Sequence, residues 1–301
     1  MMKIKHVVIG LIFLLLLGYG SQKTFNHHFT KTNIDSLNLT SPIQGEAGLV
    51  LDLDSGKVMY EKNDHKRLYP ASTTKIVTAL LAVEYGKLTD RITVGKEAQF
   101  KTEGESTAWL KEGQVLTLRE LLAGLMLPSG NDAARTTAVY IAKKQLDNPH
   151  VSEEKALDYF VSMMNKKAQE LGAKESHFMN PHGLHHPNHY TTAYDLGLIA
   201  SEAIKNPTFK EIVSSKVYSD EAVTYQNRNK LLDSNSPYYF EGANGIKTGF
   251  TDEAGYCLVS SAERNGKKLM AVVLNSSKES VWNDSTTLLT NGFRSSEYVK
   301  K

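Results

Sequence analysis

The period of the apolar and polar positions changes twice along the chain. From Gly48 to Asp54 and from Lys57 to Glu61, short and mainly apolar runs flank the dipeptide Ser55-Gly56, which is the pattern of a β-hairpin. From residue 70 to about 205, apolar residues recur at three- and four-residue spacing, which indicates helices. Beyond residue 240 the short apolar runs return. The predicted order is therefore strands, a run of helices and strands again.

Local signals place the ends of the helices. Pro70 precedes the first helix and Gly86 follows it, while Thr117 and Glu120 form a capping box before the second. Ser152 is the predicted N-cap of the longest helix in this region. The predicted helices are 76–85, 118–127, 131–144, 153–171, 193–205 and 284–291.

Three strands are predicted near the end of the chain, at 244–248, 255–263 and 268–275. Asn265-Gly266 forms a tight turn between the last two. Strands from both ends of the chain are expected to pair in one antiparallel sheet. The predicted fold class is α/β of the α+β kind, with five antiparallel strands flanked by helices and an α-helical subdomain.

Composition narrows the class of protein. The 301 residues are 41% hydrophobic and 23% charged, which is ordinary for a folded chain and argues against disorder. The formal net charge is +2 and no long basic run occurs, so no nucleic-acid partner is predicted. The length is compatible with one large domain or two small ones.

The N-terminus has the pattern of an export signal. Lys3 and Lys5 precede the uncharged apolar run 7–17, which is short for a membrane span of about 20 residues. Gly18 and Gly20 are suitable small residues for cleavage before residue 21, although an uncleaved N-terminal anchor stays possible on this pattern. No cysteine follows the run, which excludes lipoprotein processing. The mature chain is predicted outside the cytoplasm: at the outer face of the cytoplasmic membrane, in the wall, or in the extracellular or periplasmic space.

A single cysteine, Cys257, is present, and it lies in the apolar run 255–259. One thiol cannot form an internal disulfide. We interpret Cys257 as a core residue of a buried strand rather than as a catalytic nucleophile.

Three short motifs occur in a set order, each at the boundary of a predicted element. They are Ser72-Thr73-Thr74-Lys75, Ser129-Gly130-Asn131 and Lys247-Thr248-Gly249. Each is weak alone, because Ser-x-x-Lys recurs at residues 152–155 and Ser-x-Asn at residues 36–38. Together they match the motif set of β-lactamases and penicillin-binding proteins.

The first motif has the chemistry of an activated nucleophile. Residues three apart on a helix share a face, which places Lys75 one turn from Ser72. A serine hydroxyl needs a base, and a lysine can serve once it has lost its proton. Burial and a second cation both lower a lysine pKa, and Lys247 is the candidate second cation. The Ser72 amide, at the first turn of the helix, can help to hold an oxyanion.

The other two motifs supply the remaining functions. We expect Ser129 to relay a proton to the leaving amine and Asn131 to order Lys75 and the substrate. The third motif is predicted on an edge strand, to which a peptide can add through main-chain hydrogen bonds. There Gly249 keeps the approach open, and Lys247 and Thr248 can meet a terminal carboxylate.

Around these motifs the chain resembles the low-molecular-mass penicillin-binding proteins, the D-alanyl-D-alanine carboxypeptidase family. The resemblance extends over about residues 44–294. The matching segments are 69–80, 127–134, 180–184, 189–196, 227–232 and 245–256.

The resemblance implies a fold of the β-lactamase/transpeptidase type with the site between sheet and helical subdomain. It implies that Ser72 is acylated by peptidoglycan pentapeptide stems, with release of the terminal D-alanine and then hydrolysis of the acyl-enzyme. β-Lactam antibiotics are expected to acylate the same serine. The oxyanion hole would be the amides of Ser72 and Phe250, and no cofactor is implied.

The resemblance also sets the expected domain layout. Residues 1–20 are a signal peptide or N-terminal anchor, 21–43 a linker and 44–295 the catalytic domain, with no second C-terminal β domain expected. Membrane contact is therefore expected only through the N-terminal segment. A further departure is Val281, near a position where relatives often have an arginine that grips the substrate carboxylate, which leaves more of that binding to Lys247 and Thr248.

Other functions fit the residues less well. A DD-transpeptidase or DD-endopeptidase on the same site is the main alternative. A class A-like β-lactamase lacks its usual Glu-x-x-Leu-Asn setting, the closest segment being 154–158 inside a helix. A non-catalytic β-lactam sensor is disfavoured by the intact motif set. The crowded His182, His185, His186 and His189 lack a Cys or Glu spaced to complete a metal site, so no metal is predicted.

Overall fold

The computed structural model describes residues 42–297. Its strands are β1 Ala47–Asp52, β2 Lys57–Lys62, β3 Arg91–Thr93, β4 Val115–Thr117, β5 Val217–Ser219, β6 Thr224–Gln226, β7 Ala243–Thr251, β8 Gly255–Arg264 and β9 Lys267–Ser276. Its α-helices are α1 Lys75–Tyr85, α2 Leu118–Met126, α3 Asn131–Gln145, α4 Glu153–Glu170, α5 Ala193–Ala203, α6 Pro207–Ser214 and α7 Ser280–Glu297.

The main sheet joins the two ends of the described chain. Its strand order is β2-β1-β9-β8-β7, and every neighbouring pair is antiparallel. The β8–β9 turn has Asn265 at φ 50° and Gly266 at φ 77°, as a two-residue hairpin of this kind requires. The predicted five-stranded antiparallel sheet is confirmed, with β7, which carries Lys247, as one edge.

Successive residues of β1 belong to two hydrophobic cores on opposite faces of the sheet, because side chains alternate across a strand. Leu49 and Leu51 belong to the core that the sheet shares with helices α1–α5. Val50 belongs to a second core, which Leu288 and Leu289 of α7 close from the opposite face. The sheet is therefore a middle layer with the helical subdomain on one side and α7 on the other.

The helix ends follow the sequence signals. The Thr117 hydroxyl accepts from the Glu120 amide, and the Glu120 carboxylate accepts from the Thr117 amide, which confirms the capping box. Ser152 caps α4 by accepting from the Lys155 amide. A cap that was not predicted begins α6, where Asn206 accepts from two amides and Pro207 occupies the first turn.

Three parts of the architecture differ from the prediction. Residues Ala71–Thr74 form a 3₁₀ turn ahead of α1, and α7 begins at Ser280 rather than near Asp284. Helix α6 and the two-stranded sheets β3–β4 and β5–β6 were not predicted, since elements of three to eight residues give too few positions for a period to show. Cys257 is buried and unpaired, as expected for a core residue.

The N-terminal predictions fall largely outside the described chain. The predicted signal or anchor, 1–20, and nearly all of the predicted linker, 21–43, precede residue 42. Between residues 42 and 297, no helix combines the length and apolar character that crossing a bilayer requires.

Candidate active site

Ser72 stands on a tight turn between Pro70 and α1. Thr73 closes this turn by donating its amide and its hydroxyl to the Pro70 carbonyl, at 3.2 and 2.7 Å. Ala71, directly before Ser72, has φ 46°, a left-handed conformation that is rare for a residue with a Cβ. Gly183 packs against it so closely that an added Cβ would lie 1.8 Å from the Ala71 carbonyl oxygen. The serine is therefore held on a strained and supported backbone.

Lys75 is fully buried and points its amine at Ser72. Its Nζ lies 3.0 Å from Ser72 Oγ, 2.6 Å from Asn131 Oδ1 and 2.8 Å from the His182 carbonyl oxygen. Burial, together with the charge of Lys247, holds the Lys75 pKa well below its usual value. The neutral amine is thus favoured relative to a lysine in water.

This arrangement suits transfer of a proton from Ser72 to Lys75. The ammonium form has three N–H donors for the three acceptors around it. The neutral amine keeps two N–H donors, and two of the acceptors, Asn131 Oδ1 and the His182 carbonyl, can only accept. The lone pair is then left for the one neighbour that has a proton to give, the Ser72 hydroxyl. The geometry supports general-base activation of the serine.

The second motif forms the junction between α2 and α3. Ser129 is buried and has φ 68°, so the chain turns sharply there before Gly130 and Asn131 begin α3. Two hydrogen bonds fix the turn: the Gly130 amide donates to the Gly124 carbonyl at 2.9 Å, and the Asn131 amide donates to the Ser106 carbonyl at 2.8 Å. The Asn131 side chain thereby meets Lys75.

The third motif lies on the outer strand of the sheet. Lys247 is buried, and its Nζ donates to the Thr248 carbonyl at 3.1 Å. Burial, with the positive charge of Arg228, lowers the Lys247 pKa to about 7. A Cβ on Gly249 would come within 3.0 Å of the Ser72 amide nitrogen, which shows how closely β7 approaches the turn that carries Ser72. Phe250, next along, is 49% exposed.

The structure therefore brings the three predicted motifs to one place. Ser72, Lys75 and Asn131 are in direct contact, and Ser129 lies two residues before Asn131. The charge of Lys247 acts on Lys75, and the β7 backbone at Gly249 abuts the Ser72 turn. Thr248 is half-buried beside them.

Several residues of the site were not predicted from the sequence. The His182 carbonyl contacts Lys75 directly, and the Glu105 carboxylate accepts from Asn131 Nδ2 at 3.2 Å. The positive charge of Arg228 lowers the pKa of both Lys75 and Lys247. The only signal for two of them was that His182 and Arg228 fell in segments resembling the family; nothing in the sequence singled out Glu105.

Of the clustered histidines, His189 is buried and hydrogen-bonded through both ring nitrogens. His189 accepts from the Met179 amide through Nδ1 at 3.1 Å and pairs through Nε2 with Thr74 Oγ1 at 2.8 Å. Burial lowers its pKa to about 3. In the described part of the chain, no three His, Cys, Asp or Glu residues are grouped so as to hold a metal ion.

Comparison with known proteins gives consistent matches. A family profile described as D-alanyl-D-alanine carboxypeptidase matches residues 35–278. The D-alanyl-D-alanine carboxypeptidase DacF of Bacillus subtilis (strain 168) is 34% identical over 265 residues, which cover 85% of this chain and 63% of the relative. The Streptomyces K15 DD-transpeptidase structure is 33% identical with a TM-score of 0.78, covering 84% of this chain and 98% of that one. Penicillin-binding protein 6B from Escherichia coli is 31% identical with a TM-score of 0.76, covering 89% and 82%.

The fold is thus that of the penicillin-binding proteins and DD-transpeptidases, as the sequence had indicated. The chain belongs to the D-alanyl-D-alanine carboxypeptidase family, peptidase S11. It spans 63% of the length of the first curated relatives that it matches, DacF of B. subtilis and DacC of E. coli.

Proposed function

We propose that this protein is a serine-type D-Ala-D-Ala carboxypeptidase that acts on the pentapeptide stems of peptidoglycan. The observation that carries the proposal is the buried Lys75 amine, 3.0 Å from the Ser72 hydroxyl, in a chain of this family. A buried lysine whose pKa is lowered and whose amine contacts a serine hydroxyl has the properties of a general base. Strongly lowered pKa values of this kind are concentrated at functional sites.

Acylation follows from the contacts of Ser72. Lys75 accepts the hydroxyl proton while Ser72 Oγ attacks the carbonyl carbon of the penultimate D-alanine. The oxyanion is held by the amides of Ser72 and Phe250, and the proton reaches the leaving amine through Ser129. The C–N bond breaks, D-alanine departs and an ester on Ser72 remains. A water molecule then hydrolyses this ester and restores the serine.

The substrate carboxylate is proposed to bind at Lys247 and Thr248. The arginine that relatives often have near position 281 is not matched here: Val281, at the start of α7, is 2% exposed and packs in the core between α7 and the sheet. The nearby positive charge of Arg228 adds to the attraction for an anion at Lys247. Gly249 and Phe250 offer the backbone of β7 to the substrate main chain.

The proposed substrate sets the proposed location. Peptidoglycan stems lie outside the cytoplasm, so the protein acts at the outer face of the cytoplasmic membrane, in the wall or in the surrounding space. Membrane contact through the N-terminal segment and acylation of Ser72 by β-lactams belong to the same proposal.

A second reaction on the same site is a DD-transpeptidase or DD-endopeptidase. The specific observation in its favour is that the similar solved structure from Streptomyces K15 is named a DD-transpeptidase, whereas a relative from the same strain is named a carboxypeptidase. All three activities share the acyl-enzyme: a transpeptidase passes the acyl group to an amine, whereas a carboxypeptidase and an endopeptidase pass it to water and differ in the bond that they cut.

The test is D-alanine release from an acyl-D-Ala-D-Ala peptide by the purified chain and by Ser72→Ala. Loss of the nucleophile should reduce the rate by several orders of magnitude. Ser152→Ala is the matched control, because Ser152 begins the other Ser-x-x-Lys sequence and only caps α4. An amine acceptor added to the same assay separates hydrolysis from transfer.

Each outcome decides between the functions. Release by the wild type and by Ser152→Ala, but not by Ser72→Ala, supports the proposal. Ligated product in place of free acid favours the transpeptidase. Release that survives Ser72→Ala contradicts the mechanism.

A further inference from the structure

A buried ion pair lies next to the Asn131 side chain. Glu105 and Arg135 pair through both carboxylate oxygens, with Arg135 Nη1 3.0 Å from Oε2 and Nη2 2.6 Å from Oε1. Their side chains are 2% and 3% exposed. Arg135 also donates through Nε to the Glu97 carbonyl at 3.0 Å, which fixes the plane of its guanidinium. Burying such a pair costs desolvation of both charges, so its position calls for an explanation.

Glu105 determines how the Asn131 amide is turned. Its Oε2 also accepts from Asn131 Nδ2 at 3.2 Å. A carboxylate can only accept, so the NH₂ group of Asn131 is the end that must face it. The carbonyl end, Oδ1, is then directed at Lys75 Nζ, 2.6 Å away.

The orientation of this amide decides what the Lys75 lone pair can do. With Oδ1 towards Lys75, Asn131 takes one amine N–H and the His182 carbonyl takes the other, so the lone pair is left for Ser72. With the amide reversed, Nδ2 would donate to the lone pair and compete with the serine proton. The two orientations of one side chain therefore correspond to a competent and an impaired base.

We propose that Glu105, locked by Arg135, is a positioning residue for acylation: it holds the Asn131 amide in the orientation that leaves the Lys75 lone pair facing Ser72. This inference rests on the proposed acyl-enzyme chemistry at Ser72. It assigns the ion pair a role in the reaction in addition to packing.

The charges of Glu105 and Arg135 predict a second effect, on the pH dependence of acylation. The charged and titratable groups that act on Lys75 are Lys247 on β7, Arg135 on α3, Glu105 before α2, and Arg228 and His182 on loops. Glu105 raises the Lys75 pKa, whereas Arg135 lowers it. Neutralising Glu105 should therefore move the acid limb of the acylation profile to lower pH, and neutralising Arg135 should move it to higher pH.

The experiment measures acylation of the full chain by a fluorescent penicillin between pH 5 and 10. Glu105→Gln keeps the shape of the side chain but adds an NH₂ group, which allows the Asn131 amide to reverse. We expect the plateau rate to fall about 10- to 100-fold, because an impaired base loses only part of the roughly 10²- to 10⁴-fold that general-base catalysis contributes. The acid limb should shift down for Glu105→Gln and up for Arg135→Met.

Two further variants separate positioning from folding. Glu153→Gln breaks the Lys143–Glu153 pair, which also involves α3 but lies away from Asn131, and should leave both rate and profile unchanged. The double variant Glu105→Gln/Arg135→Met leaves no unpaired buried charge, so it keeps the test available if the single variant does not fold. It should still show the reduced plateau, with a midpoint of thermal unfolding close to that of the wild type.

The outcomes are distinct for the two proposals. If the wild type itself is not acylated at Ser72, the proposed function fails. If the wild type is acylated and the folded Glu105 variants match it in both rate and pH profile, the positioning role is wrong. A reduced rate with an unshifted acid limb in both single variants would also overturn it, because a purely structural effect lowers the rate without opposite movements of the profile.

Discussion

At the scale of single residues, the candidate site contains two lysines whose burial is unfavourable for stability. Lys75 and Lys247 are both buried, and burial lowers the pKa of each. A group whose pKa is lower in the folded than in the unfolded chain binds fewer protons when folded, so its contribution to stability becomes more favourable as pH rises. For Lys247, with a pKa of about 7, that change falls between about pH 7 and its ordinary value near 10.5.

We therefore expect Lys247→Met to raise the midpoint of thermal unfolding at pH 6, because each unit by which the folded pKa is lowered corresponds to about 1.4 kcal/mol. The gain should shrink as pH rises towards 10, because the folded lysine is then neutral and the unfolded lysine approaches its own pKa of about 10.5. Calorimetry at pH 6, 8 and 10 measures this. Lys57→Met, at a half-buried lysine on β2, is the control and should show little of this trend. A gain for Lys247→Met that does not depend on pH would contradict the argument.

At the scale of elements, one loop packs closely against the turn that carries Ser72. The loop 180–184 supplies the His182 carbonyl to Lys75, and its Gly183 packs on Ala71. The loop is itself fixed, because Asn180 accepts from the Gly183 amide at 2.6 Å. One loop thus supports the turn that carries Ser72 and also supplies the carbonyl that accepts from Lys75.

Gly183→Ala is expected to lower acylation by about two orders of magnitude, since a displacement of about 1 Å in a reacting group can have that effect. Gly183 has φ 90° and no room for a Cβ. The matched control is Gly56→Ala in the β1–β2 turn, where φ is 69° but the space is open. Both variants add backbone strain, and only the first disturbs the site. Equal acylation rates in the two would show that the seating of the loop is unimportant.

At the scale of the whole molecule, the sheet is completed only when the two ends of the described chain meet. β1 lies between β2 and β9, and the Asp284 carboxylate of α7 accepts from the amides of Gln44 and Gly45, both at 2.8 Å. The Ser276 hydroxyl donates to the same carboxylate at 2.8 Å. Contacts such as those of Asp284 with Gln44 and Gly45 join residues about 240 positions apart, and non-local contacts of this kind slow folding.

Asp284→Ala should lower the free energy of unfolding by about 2–4 kcal/mol, because it leaves buried donors without an acceptor. Urea unfolding measures the change. Acylation per folded molecule should be unaffected, since α7 lies on the face of the sheet opposite the helical subdomain. Asp54→Ala is the control, because Asp54 accepts from the Lys268 amide in an exposed setting, and the expected change is small. A loss of acylation matching the loss of stability would link α7 to the site.

Much of this architecture could be predicted from the sequence because the signals are local. The capping box at Thr117, the turn at Asn265-Gly266 and the long periodic segments each depend on a few neighbouring residues. The placement of Ser72 and Lys75 followed in the same way from their spacing of three. Their 3₁₀ turn did not, because it depends on the Gly183 loop more than 100 residues away.

What the sequence could not show is which polar residues become buried together. Glu105 and Arg135 are 30 residues apart in a region with many charges, and nothing local distinguishes them from solvated ones. The same holds for Val281 at the start of α7, since no local pattern showed that it would be buried in the core between α7 and the sheet. Burial is a property of the assembled chain, and so the supporting residues of the site appear only in the structure.

The left-handed backbone at Ala71 and Ser129 has a consequence for laboratory evolution. Conformations of this kind cost about 1–3 kcal/mol each and are maintained by their surroundings. Relieving them would therefore make the folded chain more stable. Selection for heat resistance alone would reward glycine at these two positions and relaxation of the segments around them. Among such variants, we expect acylation by β-lactams, proposed here to occur at Ser72, to weaken as thermal stability rises.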